Sequence, residues 1–458
     1  MTVFAGPGGP QSLRPFVEDL AARGELLRLP APISPEFEVS ACLGELAGGP
    51  AVLFEEVAGH DLRVVGNLLS SHARIARGLG VDEAALPETL VAALAPDRRL
   101  DPVVVAQAPC QEREVRDPDL AALPIPHFFE HEGGPYITAG AIVARDPETG
   151  RRNWSIARVR PLGGSRALVG IAPNHHLAIL ARAAAERGEQ LPIAVAVGLH
   201  PALLVAACLY LQLGDDELEV AGALLGAPVE LATCRTVPLE VPAHAELVLE
   251  GRLDAAATVD EGRVSEFHGM YEHYGAAATA TFSALTRRDD AVLQVIQPGY
   301  NPEHVLLGAV AIAAGLHRAL REEVPSVARV HVTDGGCGRT AAVIALGPHE
   351  PGDAAAAIAA CFARVSLIKH VTVVDDDVDV ADPEAVAWAV TTRMRPERDL
   401  TVSPGQRADR AEPLERDRTV TKTSLDATRH AGDRDWELAA PPAGVVTRMR
   451  ALLAELSP

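Results

Sequence analysis

Cysteine is scarce and scattered in this 458-residue chain. The six residues (Cys42, Cys110, Cys208, Cys234, Cys337 and Cys361) form no CxxC pair, which argues against a disulfide scaffold and a structural zinc site and fits a reducing, cytoplasmic setting. Basic charge is also in deficit: 41 Lys and Arg stand against 62 Asp and Glu, a formal net charge of −21 with no basic run. A nucleic-acid partner is disfavoured, since it needs a concentrated basic face, although a phosphate-bearing cofactor can still bind through a few local residues. Aromatic residues make up 4%, too few to single out one pocket. The N-terminus lacks the basic region and apolar run of a secretory signal. No membrane span is expected, because the most apolar stretch, residues 192–213, is interrupted by His200-Pro201 and followed by Asp215, Asp216 and Glu217. It reads as a buried strand and helix. Internal repeats, low-complexity tracts and a dinucleotide fingerprint are missing as well.

What is present suits a folded protein of two or three domains, with 48% hydrophobic residues and a length beyond one compact core. The start predicts a helix with Ser12 as N-cap and Gly24 as stop, then a short strand. Strands at residues 51–54 and 64–69 and a helical tract complete a small mixed α/β domain ending near residue 105. The middle is strand-rich: residues 136–143, the Asp146 to Gly150 turn and residues 154–159 read as a hairpin. Further strands fall at residues 193–197, 229–234, 245–249 and 278–285, with a helix over 202–211. That pattern suggests an antiparallel sheet or split barrel. Past Pro302 come a long helix and alternating strands and helices, the signature of another α/β domain. Gly335-Gly336-Cys337-Gly338 lacks the spacing and lysine of a phosphate loop and reads as a tight turn, with Arg339 placing it near a pocket. Asp375-Asp376-Asp377 lacks the remaining EF-hand ligands and reads as a strand-end turn.

Chemistry concentrates in Asn153-Trp154-Ser155-Ile156-Ala157-Arg158 and in Glu261 and Glu266. An amide and a guanidinium five residues apart lie on opposite sides of a strand, free to address a cofactor head group and a substrate carboxylate separately. A glutamate paired with that arginine stays ionised, while a second one in a drier pocket can be raised and act as an acid. The bland alternative is a polar sheet surface and a solvated loop.

Asn-Trp-Ser-Ile-Ala-Arg, followed far downstream by Glu-Gly-x-x-x-Glu, resembles the UbiD-like decarboxylases that use prenylated FMN. Residues 13–29, Gly134-Pro135-Tyr136-Ile137-Thr138, Asp375-Asp376-Asp377-Val378, residues 388–394 and Leu425-Asp426-Ala427-Thr428 resemble further motifs of that family in the same order. The resemblance implies an α/β (α+β) multidomain fold: an N-terminal mixed domain over residues 1–105, a split-barrel flavin domain over 106–301, a linking helix over 302–322 and a C-terminal α/β domain over 323–458. It implies that the stretch from Asn153 through Trp154, Ser155, Ile156 and Ala157 to Arg158 binds the cofactor. His175 or His176 joins it, with Glu217, and Lys422 contacts the cofactor phosphate. Asn153, His176 and Glu217 would hold Mn²⁺ or Mg²⁺, with K⁺ as a further cation. Arg158 would receive the substrate carboxylate, Glu261 would orient Arg158, and Glu266 would donate the proton. The implied partners are an unsaturated or (hetero)aromatic carboxylic acid, a flavin prenyltransferase as cofactor source, and a second copy of the chain in a homodimer or larger homo-oligomer. Where the family usually carries Pro, an aromatic residue and Gly between the two acids, this chain has Arg263-Val264-Ser265. Two other readings remain, a non-catalytic flavin carrier on the same scaffold and an FMN oxidoreductase.

Overall fold

The computed structural model describes residues 9–430, 432 and 439–456, so the extreme ends of the first and last expected domains lie outside the described residues. The first helix, Arg14–Ala22, buries Phe16 and Leu20 one turn apart. Its N-cap is Leu13, one residue beyond the expected Ser12, whose hydroxyl accepts only a 3.3 Å hydrogen bond from the Arg14 N–H. Gly24 ends it at a positive φ of 73°, a backbone state that costs glycine little.

Three sheets carry most of the fold. The first orders Leu26–Leu29, Ala51–Phe54, Arg63–Gly66 and Val292–Gln294, so a strand from far along the chain returns to the N-terminal sheet. The central sheet has eight strands paired antiparallel throughout. Its path runs Arg152–Ile156, Ala141–Arg145, Leu191–Val197, Leu247–Asp260, Ala276–Arg287, Arg166–Gly170 and Arg158–Gly163, with Arg113–Arg116 beside Ala276–Arg287.

The single strand expected over residues 154–159 is in fact two. One strand ends at Ile156 and the next begins at Arg158, and these consecutive strands occupy the two ends of the sheet path. Ala157 alone joins them, so the chain itself draws the sheet's two ends together, and Ile137 bridges Val159 there. Asn153 and Arg158 therefore address different places because they stand on different strands, not on opposite faces of one.

The third sheet is mixed, in the order Val327–Val332, Ala341–Leu346, His370–Asp375, Thr419–Ala427 and Leu400–Arg407. The helix Pro302–Glu323, capped by Asn301, is long and apolar enough to cross a membrane, yet most of its apolar window is buried. It serves two cores. Leu306, Leu307, Val310 and Ala314 pack with the N-terminal and central elements, while Ile312, Leu316 and Leu320 pack with the third sheet. Asp375 ends a strand and Asp377 lies in the turn that follows, as expected, and both accept hydrogen bonds from Arg393.

Candidate active site

Arg158 opens its strand and meets two carboxylates about a hundred residues away in sequence. Its Nε and Nη2 donate to the two oxygens of Glu261 at 2.6 and 2.8 Å, a two-point fork that fixes the plane of the guanidinium. Its Nη1 lies 3.6 Å from Glu266 Oε1. Burial pulls the Arg158 charge down, but the hydrogen bonds and charge of Glu261, aided by Glu266, hold it above its ordinary range. The side chain of Glu261 is 2% exposed and that of Glu266 14%. The drier acid is thus the paired one, and dryness does not single out Glu266 as the sequence reasoning supposed.

Glu266 is set apart by its surroundings instead. Arg263–Ser265 is a strand paired with Tyr271–His273, so the altered segment is one arm of a hairpin and Glu266 sits where it turns, its N–H donating to Met270 O at 3.0 Å. Ser265 donates from its hydroxyl and its N–H to the buried Glu132 at 2.6 and 3.0 Å, and burial raises the Glu132 carboxyl. The Tyr274 phenol, raised by burial and by the charge of Glu266, has no hydrogen-bond partner of good geometry among the described residues. Arg410 lies 4.0 Å over the Tyr274 ring and Arg158 5.6 Å from it.

None of Glu132, Tyr274 and Arg410 was legible as a site residue, and neither was Gly170. The last had a signal, since a glycine inside a strand marks a close backbone approach. It pairs with Arg158 across the sheet, and a Cβ there would stand 2.5 Å from both Arg158 Nε and Glu261 Oε1. Gly170→Ala is expected to lower kcat/KM by roughly tenfold through misplacing that pair, at an overpacking cost of about 1–3 kcal/mol. Steady-state kinetics beside the unfolding midpoint checks this; unchanged kinetics would mean that the pair absorbs the methyl group.

Asn153, His176 and Glu217 also converge. Glu217 begins the helix Glu217–Leu225 behind the capping Asp216, and its buried carboxylate accepts from Trp154 N at 2.8 Å and Asn153 Nδ2 at 3.3 Å. His176, first residue of the helix His176–Glu186, places Nδ1 4.0 Å from Glu217 Oε1. Neighbouring Asp215 and Asp216 are taken by Arg99 and Arg152, so the acidic run is not a solvated face. Burial, with the nearby Asp216 and Asp215, pushes Glu217 up to about 8. An enclosed carboxylate that no lysine or arginine pairs among the described residues is what a bound cation would compensate. Burial lowers His176 and, with the charge of His176, brings His175 down to about 4, keeping both rings in the neutral form that can ligate. His175 Nδ1 is buried with no hydrogen-bond partner among the described residues. Among the described residues no three His, Cys, Asp or Glu side chains form a metal cluster; the trio here includes an amide. Amide, imidazole and carboxylate donors fit Mn²⁺ or Mg²⁺.

Trp154 turns to the other face of its strand, its indole N–H donating to Leu203 O at 3.0 Å, while Ser155 donates to Asn153 Oδ1 at 3.1 Å. Ile156 and Ala157 end that strand and begin the crossing to Arg158. No hydrogen bond or ion pair among the described residues ties Lys422 to this group. Its ammonium, on the strand Thr419–Ala427, donates to Ser366 O at 3.1 Å and lies 4.9 Å from the Phe362 ring, and burial lowers its pKa.

Comparison with known proteins covers nearly the whole chain. Three family models match in order: the 3-octaprenyl-4-hydroxybenzoate carboxy-lyase N-terminal domain over residues 17–94, the Rift-related domain over 102–301 and the C-terminal domain over 305–427. An anhydromevalonate phosphate decarboxylase of Methanosarcina mazei is 34% identical, with 91% of this chain and 96% of that protein covered. The UbiD-class enzyme HmfF from Pelotomaculum thermopropionicum, solved with FMN, superposes with a TM-score of 0.89 at 36% identity over 96% of this chain and 99% of that one. An evolved dimeric form of the same enzyme, solved with prFMN, gives 0.87 at 36% identity over 94% and 97%. A 3,4-dihydroxybenzoic acid decarboxylase from Enterobacter cloacae gives 0.85 at 26% identity over 96% and 99%.

Proposed function

The chain belongs to the UbiD family and is a decarboxylase of that class, and from this premise we propose that it decarboxylates an α,β-unsaturated or (hetero)aromatic carboxylic acid on prenylated FMN at the Arg158, Glu261 and Glu266 cluster. The observation that carries the reading is the two-point pairing of Arg158 with Glu261 while Nη1 faces Glu266. Bound prenylated FMN supplies the electron sink for breaking the carbon–carbon bond.

The protein's own part is charge and proton control. Arg158, its Nε edge filled by Glu261, offers the Nη1 side to the substrate carboxylate, which fixes the scissile bond. Carbon dioxide leaves with the bond broken, and Glu266 passes a proton to the carbon that bore the carboxylate. Solvent then returns a proton to Glu266, so the acid becomes its decarboxylated product and carbon dioxide with no net redox change. Asn153, His176 and Glu217 would hold a divalent cation at the cofactor phosphate. In the reverse direction, the same groups would serve at high carbon dioxide.

Two measurements test this. Co-expression with a flavin prenyltransferase, followed by the spectrum and mass of the bound cofactor, tests the cofactor. Screening cinnamic-type, phenolic, pyrrole, indole and polyene acids for carbon dioxide release tests the reaction. Prenylated flavin without release from any of these acids would overturn the proposed substrate class. For the metal group, Glu217→Gln is expected to abolish the rise in unfolding midpoint that Mn²⁺ gives the wild type and to lower flavin occupancy on purification. A variant with an intact Mn²⁺ shift would remove Glu217 from the ligand set. Free thiols at all six cysteines keep the cytoplasm as our proposed location, and we propose a homo-oligomer as its assembly.

A further inference from the structure

The glycine-rich turn at residues 334–338 has no part in the chemistry above, yet its packing delivers one charge to the same cleft. Gly338 has a positive φ of 67°, and a Cβ on it would stand 2.2 Å from Val305 O. A Cβ on Gly308 would stand 2.5 Å from the guanidinium carbon of Arg339. Two missing side chains thus let the turn settle on the start of the helix Pro302–Glu323 and lay Arg339 across it. From there Arg339 stacks 4.9 Å over Phe267, the residue after Glu266.

Arg339 has no carboxylate partner among the described residues. Its hydrogen bonds are two long ones, to His304 O at 3.4 Å and Cys337 O at 3.5 Å. Three of its neighbours carry no charge at neutral pH: burial, with the Arg339 charge adding, brings His304 down to about 3, and burial pushes Cys208 up to about 12 and raises the Tyr210 phenol. Tyr210 also feels Glu266 and remains 65% exposed. The geometric link is Phe267: Arg339 stacks on the residue that follows Glu266 and so stands beside the group proposed as proton donor. A half-buried guanidinium that no carboxylate pairs among the described residues is stabilised by an anion, and its planar fork suits carboxylate or phosphate oxygens.

Resting on the decarboxylase reading, we propose that Arg339 binds a second anionic group of the substrate, a carboxylate or a phosphate remote from the carboxylate that Arg158 receives. The substrate is then a dicarboxylic or phosphorylated unsaturated acid. A plain monoacid would leave this cation unpaired when the cleft fills, which is how a polar subsite rejects an analogue lacking its partner.

The test is calorimetric titration of the flavin-loaded enzyme with two matched trios: crotonate, glutaconate and 4-phosphooxycrotonate, and benzoate, terephthalate and 4-phosphooxybenzoate. In at least one trio a doubly anionic member should bind at least about tenfold more tightly than the monoacid, and which member wins separates carboxylate from phosphate. Arg339→Gln should erase the preference while leaving monoacid affinity unchanged, and Arg339→Lys, which keeps the charge, should retain part of it. Absence of a preference in both trios, or its survival in Arg339→Gln, overturns the proposal. So does an Arg339→Gln enzyme that sheds flavin but keeps the wild-type preference, which would give the arginine to the cofactor. Carbon dioxide release, followed separately, keeps the two readings apart: release without a dianion preference refutes only the Arg339 subsite. A dianion preference without release from any acid refutes only the decarboxylase assignment.

Discussion

Glu266→Gln is expected to bind flavin and substrate like the parent and to lose about two to four orders of magnitude in turnover, the usual worth of a positioned general acid. The substitution isolates the proton. Glutamine matches the carboxyl in size, and the turn that holds residue 266 rests on the backbone bond to Met270 O, which the change leaves in place. Glu261→Gln should differ in kind. Glu261 grips Arg158 from a buried position, so its loss frees the guanidinium and should raise KM as well as lower kcat. Deuterium incorporation into product in heavy water, beside single-turnover carbon dioxide release, distinguishes them. Glu266→Gln should release carbon dioxide at most once per site and exchange slowly. Parent-like exchange in Glu266→Gln would move the donor to another group, and Tyr274, protonated and beside Glu266, is the first to examine.

The pairing of Arg158 with Glu261 was legible because opposite charges of fixed geometry leave few alternatives once both lie in one motif set. The strand and helix alternation of the C-terminal region was legible for a different reason, since each element carries its own periodicity. What escaped depends on contacts remote in sequence. Nothing local distinguishes residues 154–159 from one continuous strand; the break at Ala157 exists because its halves pair with Ala141–Arg145 and Arg166–Gly170 at opposite ends of the sheet. The return of Val292–Gln294 to the first sheet is equally invisible from three residues. Arg410 and Tyr274 become neighbours only when the C-terminal region closes on the central sheet. The Ser366 partner of the Lys422 ammonium likewise lies remote in sequence and leaves no local signal.

Arg158→Lys should cost at least about tenfold in kcat/KM, roughly 1.4 kcal/mol of transition-state stabilisation, with flavin occupancy nearly unchanged. The geometry sharpens the reason. Arginine satisfies Glu261 with Nε and Nη2 and still points Nη1 toward Glu266, serving two directions from one rigid plane. A lysine ammonium has no fixed fork, so turning to the substrate strands Glu261, which is nearly inaccessible to water, and turning to Glu261 abandons the substrate. The loss should therefore appear in both kcat and KM. Removing the competition by pairing the changes, as Arg158→Lys with Glu261→Gln, should recover part of KM but not kcat, because the lysine is then free to meet a carboxylate yet still unplaned. Wild-type kinetics in Arg158→Lys would move the carboxylate site elsewhere. A flavin-free Arg158→Lys would instead assign the arginine to holding the cofactor.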